Sequence, residues 1–273
     1  MKIDINKFSF FIASTGSLNN YGSTLTSTKS ALSTKDLSYL KDQADQDLFK
    51  DIQNGVNAII STGFTVQGII AINQQFTNSP IEAPTLPGHL RNYMYNEEDN
   101  VHMIAERSYF LIGDSYTPPK IFTEGMLQEM IDRFDTSEYT TKDGWRVFAD
   151  LAKMQPFQDG NKRTALIAAN EAMGAFETQD FLVLPLQPES NTKFIGLLMR
   201  YYLTDDATQQ DRLLDEMVSL TPGTVEQEQV WQAERDRLES IKKLSTRRVK
   251  PFWGGNQEFR QRYLKNLPDD QDL

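Results

Sequence analysis

One stretch of the chain, residues 155–164 with the order Gln-Pro-Phe-Gln-Asp-Gly-Asn-Lys-Arg-Thr, could bind a phosphate group and a metal ion. It precedes an apolar segment with helical spacing, so it is expected to lie at a helix N-terminus. The exposed N–H groups and the dipole of such a terminus attract anions. A guanidinium group can form paired hydrogen bonds with phosphate, and a carboxylate suits Mg²⁺. The stretch therefore predicts a site for phosphate and magnesium.

Five consecutive residues are the candidates for this binding: Asp159 as the metal ligand, and Gly160, Asn161, Lys162 and Arg163 as the phosphate-binding group. Each has a simpler structural explanation when it is taken alone. Asn161 can cap a helix, Asp159 can be a first-turn charge, and Arg163 can be an ordinary surface residue. Their combination in this order favours the binding site.

Composition narrows the class of protein. With 273 residues, 39% of them hydrophobic and 24% charged, the chain suits one soluble domain with appendages or two small domains. The formal net charge of -10 makes nucleic acid an unfavourable partner, and anionic membranes equally so. The basic run 241–265 is a local exception. A solvated helix face is the simpler interpretation of this run, and a nucleic-acid or partner contact is the alternative.

Other site classes are excluded or disfavoured. The chain has no cysteine and contains only His89 and His102, so disulfides, thiolate metal sites and histidine-rich metal sites are excluded. The uncharged segment 53–81 is interrupted by polar residues, which favours a buried helix over a membrane span. Asp4 and Lys7 break the pattern of a secretion signal, so the cytoplasm is the expected compartment.

Helical spacing of apolar residues dominates the chain, so we expect a mainly α fold. Residues 14–34 are rich in Ser, Thr, Asn and Gly, which predicts a loose N-terminal arm. Prolines interrupt the helical pattern between residues 78 and 119. Within that region, segments 101–104 and 109–112 predict a small surface β-hairpin. The expected parts are an N-terminal arm and lead helix (1–55), a central domain (56–205) and a helical C-terminal extension (206–273).

The stretch resembles the signature of the Fic/Doc (Fido) family, His-Pro-Phe-x-Asp/Glu-Gly-Asn-x-Arg. The resemblance extends upstream to segments 87–91, 101–103 and 116–119, which are similar to the flap region of the family. It covers about one domain, residues 56–203, and implies a Fic-like helical domain with a β-hairpin flap. The positions that match the signature are Pro156, Phe157, Asp159, Gly160, Asn161 and Arg163.

The resemblance implies an activity and its cofactors. Fic proteins usually act as adenylyltransferases, which transfer AMP from ATP to a protein hydroxyl group (AMPylation). Mg²⁺ and ATP, or another nucleotide, are the implied cofactors, with Asp159 holding the ion and Arg163 gripping phosphates beside an anion hole at Gly160 and Asn161. Val101, His102 and Met103 would form the flap that docks a segment of an unidentified protein target by strand addition.

The chain departs from the family pattern at three positions. Gln155 occupies the place of the catalytic histidine, and a carboxamide cannot accept a proton at physiological pH. Lys162 replaces a small residue, and Leu166 stands where AMP-transferring members commonly have a second arginine. These two positions resemble the Doc branch of the family, in which the terminal phosphate is transferred.

Two hypotheses follow from the loss of the base at Gln155. A positioned base contributes on the order of 10²–10⁴ in rate. Phosphoryl transfer relies mainly on positioning and charge neutralisation, which the other residues could still provide. The chain is therefore either a slowed or reprogrammed Fic-type transferase, or an inactive Fic-shaped module that regulates by binding a nucleotide or protein.

Residues 63–68 are a second place where a family feature has been altered. The segment has the outline of the family's inhibitory helix, Ser/Thr-x-x-x-Glu-Gly/Asn, with both key residues changed. Its other interpretation is a buried helix interrupted by Gly63 and Gly68.

Overall fold

The protein is mainly α-helical, as predicted. A computed structural model describes residues 4–79, 83–104 and 115–246, without the side chains of 104 and 242–246. Within this part of the chain there are eleven α-helices and one antiparallel pair of short strands. In chain order they are α1 (Ile5–Gly16), α2 (Leu25–Thr34), α3 (Gln43–Thr62), α4 (Val66–Gln74), β1 (Met103–Ile104), β2 (Ser115–Tyr116), α5 (Glu124–Asp135), α6 (Thr141–Met154), α7 (Asn161–Ala172), α8 (Ala175–Thr178), α9 (Pro188–Leu203), α10 (Ala207–Val218) and α11 (Thr224–Thr246).

The chain divides into two compact units, Met1–Trp231 and Gln232–Leu273. The first unit contains α1 to α10 and the start of α11. The described part of the second unit is the remainder of α11, which ends at Thr246. The boundaries predicted after residues 55 and 205 stay predictions.

Helix α7, which follows the candidate stretch, lies at the centre of the first unit. It packs against α6, α3 and α4. Leu166 and Ile167 are fully buried, and so are the alanines Ala165, Ala168 and Ala169. Small side chains let neighbouring helix backbones approach closely. The apolar surroundings fix the position of the loop that enters this helix.

The prediction of a loose arm at residues 14–34 is wrong. Helix α2 begins after Thr24, whose hydroxyl accepts a hydrogen bond from the backbone N–H of Ser27 at 3.1 Å. Thr28 is fully buried, and its hydroxyl donates to the carbonyl of Thr24 at 2.9 Å. The hydroxyl groups that suggested a loop therefore cap and complete a helix.

The segment 63–68 forms a sharp connection between α3 and α4. Gly63 ends α3 with a φ of 74°, and Thr65 caps α4 by accepting from Gly68 N at 3.0 Å. A Cβ atom on Gly68 would lie only 2.0 Å from the carbonyl oxygen of Gly63. Both glycines are thus explained by the geometry of the turn.

The predicted hairpin is present in part. Met103 pairs with Tyr116 and Ile104 with Ser115 in antiparallel register. The other predicted strand, segment 109–112, lies outside the described residues. Among the helices that the structure describes, none combines the length and apolar character that crossing a bilayer requires.

Candidate functional site

The candidate stretch is a tight loop between α6 and α7. Helix α6 ends at Met154, and Gln155 then adopts a left-handed conformation with φ 49° and ψ 56°. Gly160 has a φ of 76° and directly precedes α7. A Cβ atom at Gly160 would lie 2.5 Å from Cδ2 of Phe76. Glycine is therefore required at this position by both its backbone conformation and its close packing.

Asn161 holds the loop in shape with its side chain. Its Oδ1 accepts from the backbone N–H of Phe157 at 2.9 Å, and its Nδ2 donates to the carbonyl of Phe157 at 2.8 Å. Nδ2 also donates to Oε1 of Gln155 at 3.0 Å. Because the carboxamide group is engaged inside the loop, an anion-binding role for Asn161 would fall to its backbone N–H group.

Gln155 is buried and bonded through both ends of its carboxamide group. Besides accepting from Asn161, it donates from Nε2 to the carbonyl of Ala152 at 2.6 Å. The hydroxyl group of Tyr202 lies nearby. Burial raises the pKa of Tyr202, and Gln155 opposes this effect. The side chain at the predicted base position thus joins the end of α6 to the start of α7.

Arg163 faces the core rather than the surface. Its side chain is fully buried, and its guanidinium carbon lies 4.5 Å from the ring centre of Phe76. Its Nη1 lies 3.9 Å from Oδ2 of Asp51, which is also fully buried. The other oxygen of Asp51 accepts from the backbone N–H groups of Thr77 and Asn78 at 3.2 and 3.1 Å. Arg163 therefore belongs to a buried polar group beneath the loop.

Asp159 and Lys162 are the candidate residues with partly exposed side chains. Oδ1 of Asp159 accepts from the backbone N–H of Gly160 at 2.5 Å. The start of α7 has no hydrogen bond from a capping side chain. The structure thus leaves Asp159 and Lys162 partly exposed, whereas Gly160, Asn161 and Arg163 are buried.

The donor set fits a magnesium ion that is held mainly by phosphate. Among the described residues, no three His, Cys, Asp or Glu side chains cluster as a metal cage. Mg²⁺ usually binds one or two carboxylates together with substrate phosphates and water. Asp159 is the loop residue that could supply such a carboxylate.

Sequence reasoning gave no role to the residues that attach the loop to segment 83–100. Arg91 is buried, and its guanidinium group donates to the carbonyls of Gln155 at 2.5 Å, Asp99 at 2.9 Å and Pro119 at 3.1 Å. Its backbone N–H donates to the carbonyl of Pro156 at 2.9 Å. Burial lowers the pKa of Arg91, and the nearby Asp99 opposes this effect. Arg91 lies in the upstream segment 87–91, and the resemblance of that segment to the family was the sequence feature that could have indicated its importance.

Asn73 on α4 makes a second attachment. Its Nδ2 donates to the carbonyl of Asp159 at 2.9 Å, and its Oδ1 accepts from the backbone N–H of Gly88 at 2.8 Å. Asn73 is fully buried. Its position in an apolar helix gave no indication of this contact, because the partners lie far away in sequence.

The predicted flap residues lie at the start of the hairpin. Val101 and Met103 are half-buried and His102 is exposed. Nδ1 of His102 lies 3.0 Å from the hydroxyl oxygen of Thr117, which follows β2. The flap role of these residues stays a prediction.

The comparisons with known proteins agree with this fold. The model of the Fic/DOC family matches residues 63–173. Over these residues the chain is similar to the Fic/DOC family. The match runs from the end of α3 to just beyond α7, so it includes the loop and the segment attached to it. No curated protein matches the chain.

Solved Fic structures are similar to the chain in fold. A substituted fragment of Fic-1 from C. elegans has 14% identity and a TM-score of 0.53, covering 85% of this chain and 64% of that one. The corresponding Fic-1 fragment without this substitution has the same identity and TM-score, covering 87% and 68%. A Fic domain containing signaling protein from Bacteroides thetaiotaomicron has 13% identity and a TM-score of 0.52, covering 79% and 81%. At these identities the likeness establishes the fold of the Fic/DOC domain and nothing finer.

Proposed function

We propose that the chain binds a magnesium–nucleotide complex, with ATP as the first candidate, at the loop 155–163 of its Fic/DOC domain. We further propose that it acts mainly through this binding, and that any transfer of AMP or phosphate to a protein hydroxyl group is slow. The observation that carries the proposal is the contrast within one loop. The N-terminus of α7 begins there without a side-chain cap, while Gln155 is buried and bonded at both ends.

The binding half of the proposal rests on the partly exposed Asp159 and Lys162 and on the start of α7, which has no side-chain cap. Backbone N–H groups at the start of α7 and the cation of Lys162 would contact phosphate oxygens. Asp159 would help to hold Mg²⁺, which neutralises phosphate charge. A direct contact with Arg163 would require its guanidinium group to leave Asp51 and Phe76. We therefore assign Arg163 to the support of the loop from the core side.

The catalytic half of the proposal rests on Gln155. Its carboxamide group has no proton-accepting function in the relevant pH range, and its hydrogen bonds to Ala152 and Asn161 hold it in place. Loss of a positioned base costs on the order of 10²–10⁴ in rate. This supports a binding role over a catalytic one.

The binding half is tested by calorimetric titration of the full chain with MgATP. Asp159→Ala and Lys162→Ala should each weaken binding about tenfold or more, which is ~1.4 kcal/mol. Two exposed residues provide matched controls, Asp180→Ala and Lys193→Ala, and these should bind as the wild type does. No binding by the wild type, or equal losses in the controls, would refute the binding site.

The catalytic half is tested with ATP labelled separately at the α- and γ-phosphates. We expect no rapid incorporation of either label into protein by the wild type. Rapid α-label incorporation would establish AMP transfer instead, and rapid γ-label incorporation would establish a Doc-like kinase.

A further inference from the structure

The side chain of Gln158 forms a bridge between the loop and the segment 83–100. Its Oε1 accepts from the backbone N–H of Leu86 at 3.0 Å, and its Nε2 donates to Oδ1 of Asp99 at 2.8 Å. Gln158 occupies the variable position of the signature, so its residue type alone predicts no role. The bridge spans 72 residues of sequence on one side and 59 on the other.

Asp99 is the centre of the polar group that Gln158 joins. It is fully buried. Its Oδ2 accepts from the backbone N–H of Asn92 at 2.5 Å and lies 3.2 Å from Nε2 of His89. Nδ2 of Asn96 donates to its Oδ1 at 3.2 Å. Burial acts to raise the pKa of Asp99, but the bonds from Asn92, Gln158 and His89 outweigh it and lower the pKa below its usual value.

The same segment is also fixed to the loop through backbone carbonyls. Arg91 donates to the carbonyls of Gln155 and Asp99, so it joins the first residue of the loop to the same polar centre. The segment is therefore attached at both Gln155 and Gln158. Hydrogen bonds to a charged, buried acceptor are stronger than those between neutral groups.

We propose that Gln158 is a positioning residue, which holds the loop 155–163 in its binding conformation by locking it to Asp99 and Leu86. This inference rests on the proposed nucleotide-binding function of that loop. Gln158 itself need not touch the nucleotide. It fixes the backbone just before Asp159 and Gly160, so it restricts the direction of the Asp159 carboxylate and of the first turn of α7.

The lock makes the loop and the segment one ordered unit. A nucleotide that orders the loop would then also order the segment 86–99, which leads directly into the predicted flap at residues 101–103. If nucleotide binding to the loop orders the segment, then ordering the segment must raise the affinity for the nucleotide by the same coupling free energy.

The experiment uses four forms of the full chain besides the wild type. Gln158→Ala removes both bonds of the bridge. Gln158→Glu keeps the acceptor for Leu86 but turns a carboxylate towards Asp99. The double variant Gln158→Glu/Asp99→Asn restores a donor–acceptor pair in the reversed sense. Gln128→Ala is the matched control, since Gln128 donates to Asp132 at 2.7 Å on the exposed surface of α5.

Two measurements are made on each form. The first is hydrogen exchange of the backbone amides of residues 86–99 and 155–163 without nucleotide, and the second is MgATP affinity by calorimetry. We expect about tenfold faster exchange in both segments and about tenfold weaker binding for Gln158→Ala and Gln158→Glu. The double variant should recover part of both losses relative to Gln158→Glu, since the new amide can donate to the carboxylate at position 158 but cannot accept from Asn96 there. Gln128→Ala should change neither.

The outcomes separate this inference from the proposed function. Unchanged exchange in Gln158→Ala, or a double variant no better than Gln158→Glu, overturns the positioning role. Faster exchange without weaker MgATP binding also overturns it, because the bridge would then be structural only. If no form binds MgATP, the proposed function fails by itself, and exchange still decides whether the two segments are locked together.

Discussion

The side-chain amide nitrogen of Asn161 lies 3.0 Å from the side-chain oxygen of Gln155 and donates a hydrogen bond to it. The bond joins the first residue of α7 to the residue that follows α6. It uses the side-chain oxygen of Gln155, while the amide nitrogen is bonded to Ala152. The residue at the position of the family's base is therefore a structural element of the loop.

We expect Gln155→His to gain transfer activity while binding MgATP within about threefold of the wild type. An imidazole can accept a proton near neutral pH, and a positioned base contributes on the order of 10²–10⁴ in rate. Incorporation of labelled ATP into protein, measured with each label, checks this. Gln179→His is the control, because Gln179 is another glutamine with a left-handed backbone, at φ 62°. Equal labelling by wild type and variant contradicts the assignment of Gln155 as the missing base.

The buried pair of Asp51 and Arg163 gives a prediction about stability. Asp51→Asn keeps an oxygen for the N–H groups of Thr77 and Asn78 but removes the negative charge that faces Arg163. Leaving a buried charge without its partner costs about 3 kcal/mol or more. Urea unfolding should show a loss of this size in the free energy of unfolding.

The control for Asp51→Asn lies one turn earlier on α3. Asp47 is itself mostly buried, but it pairs at 3.4 Å with Lys50, whose side chain is 38% exposed. Asp47→Asn should cost less than about 1 kcal/mol, because Lys50 can be solvated when it loses this partner, whereas Arg163 cannot. The double variant Asp51→Asn/Arg163→Met should recover part of the loss. Equal effects of the two single substitutions would show that the Asp51 charge has no special role beneath the loop.

The sequence predicted the elements whose signals are local. Helical spacing of apolar residues predicted the mainly α fold. A glycine followed by an apolar helical pattern predicted the start of a helix, and α7 does begin directly after the left-handed Gly160. The sequence did not predict which way Arg163 points. Its partner Asp51 lies on a helix more than a hundred positions away, and nothing in the local pattern distinguishes a surface arginine from one stacked on Phe76.

The local sequence pattern also did not predict that segment 83–100 is attached to the loop. Asp99 stands after two other acids, a pattern typical of a solvated turn, yet it is fully buried. Its burial depends on donors from Asn92, Gln158 and His89 that come together only in the folded chain. Long-range polar contacts of this kind leave no periodic trace in a sequence.

Asp99 also gives a prediction for acid unfolding. Its pKa is lowered in the folded state, so it stabilises the fold above the unfolded pKa of about 4, and this contribution is lost as pH falls below that value. The free energy of unfolding should therefore fall more steeply below about pH 4 in the wild type than in Asp99→Asn. Urea unfolding across this pH range measures the two slopes.

The comparison for Asp99 is Asp205, whose pKa is lowered by a hydrogen bond from Lys153 but whose side chain is exposed. Exposed charges are screened by salt, whereas buried ones are screened much less. In 1 M salt the difference between wild type and Asp99→Asn should persist, while any effect of Asp205→Asn should disappear. A salt-sensitive effect at Asp99 would contradict its role as a buried acceptor.

Glycine at position 160 is required both by its positive φ and by its close contact with Phe76, and a comparison of Gly160→Ala with Gly174→Ala separates these two reasons. Gly160 and Gly174 both precede helices with positive φ, at 76° and 63°. A Cβ atom at Gly160 would lie 2.5 Å from Phe76, whereas one at Gly174 would meet nothing within 4 Å. Gly174→Ala should therefore show only the backbone cost, about 1 kcal/mol, and Gly160→Ala about 2 kcal/mol more from overpacking. Thermal and urea unfolding measure both. Similar losses would mean that Phe76 yields easily, and that the loop is not held against the core as tightly as its contacts indicate.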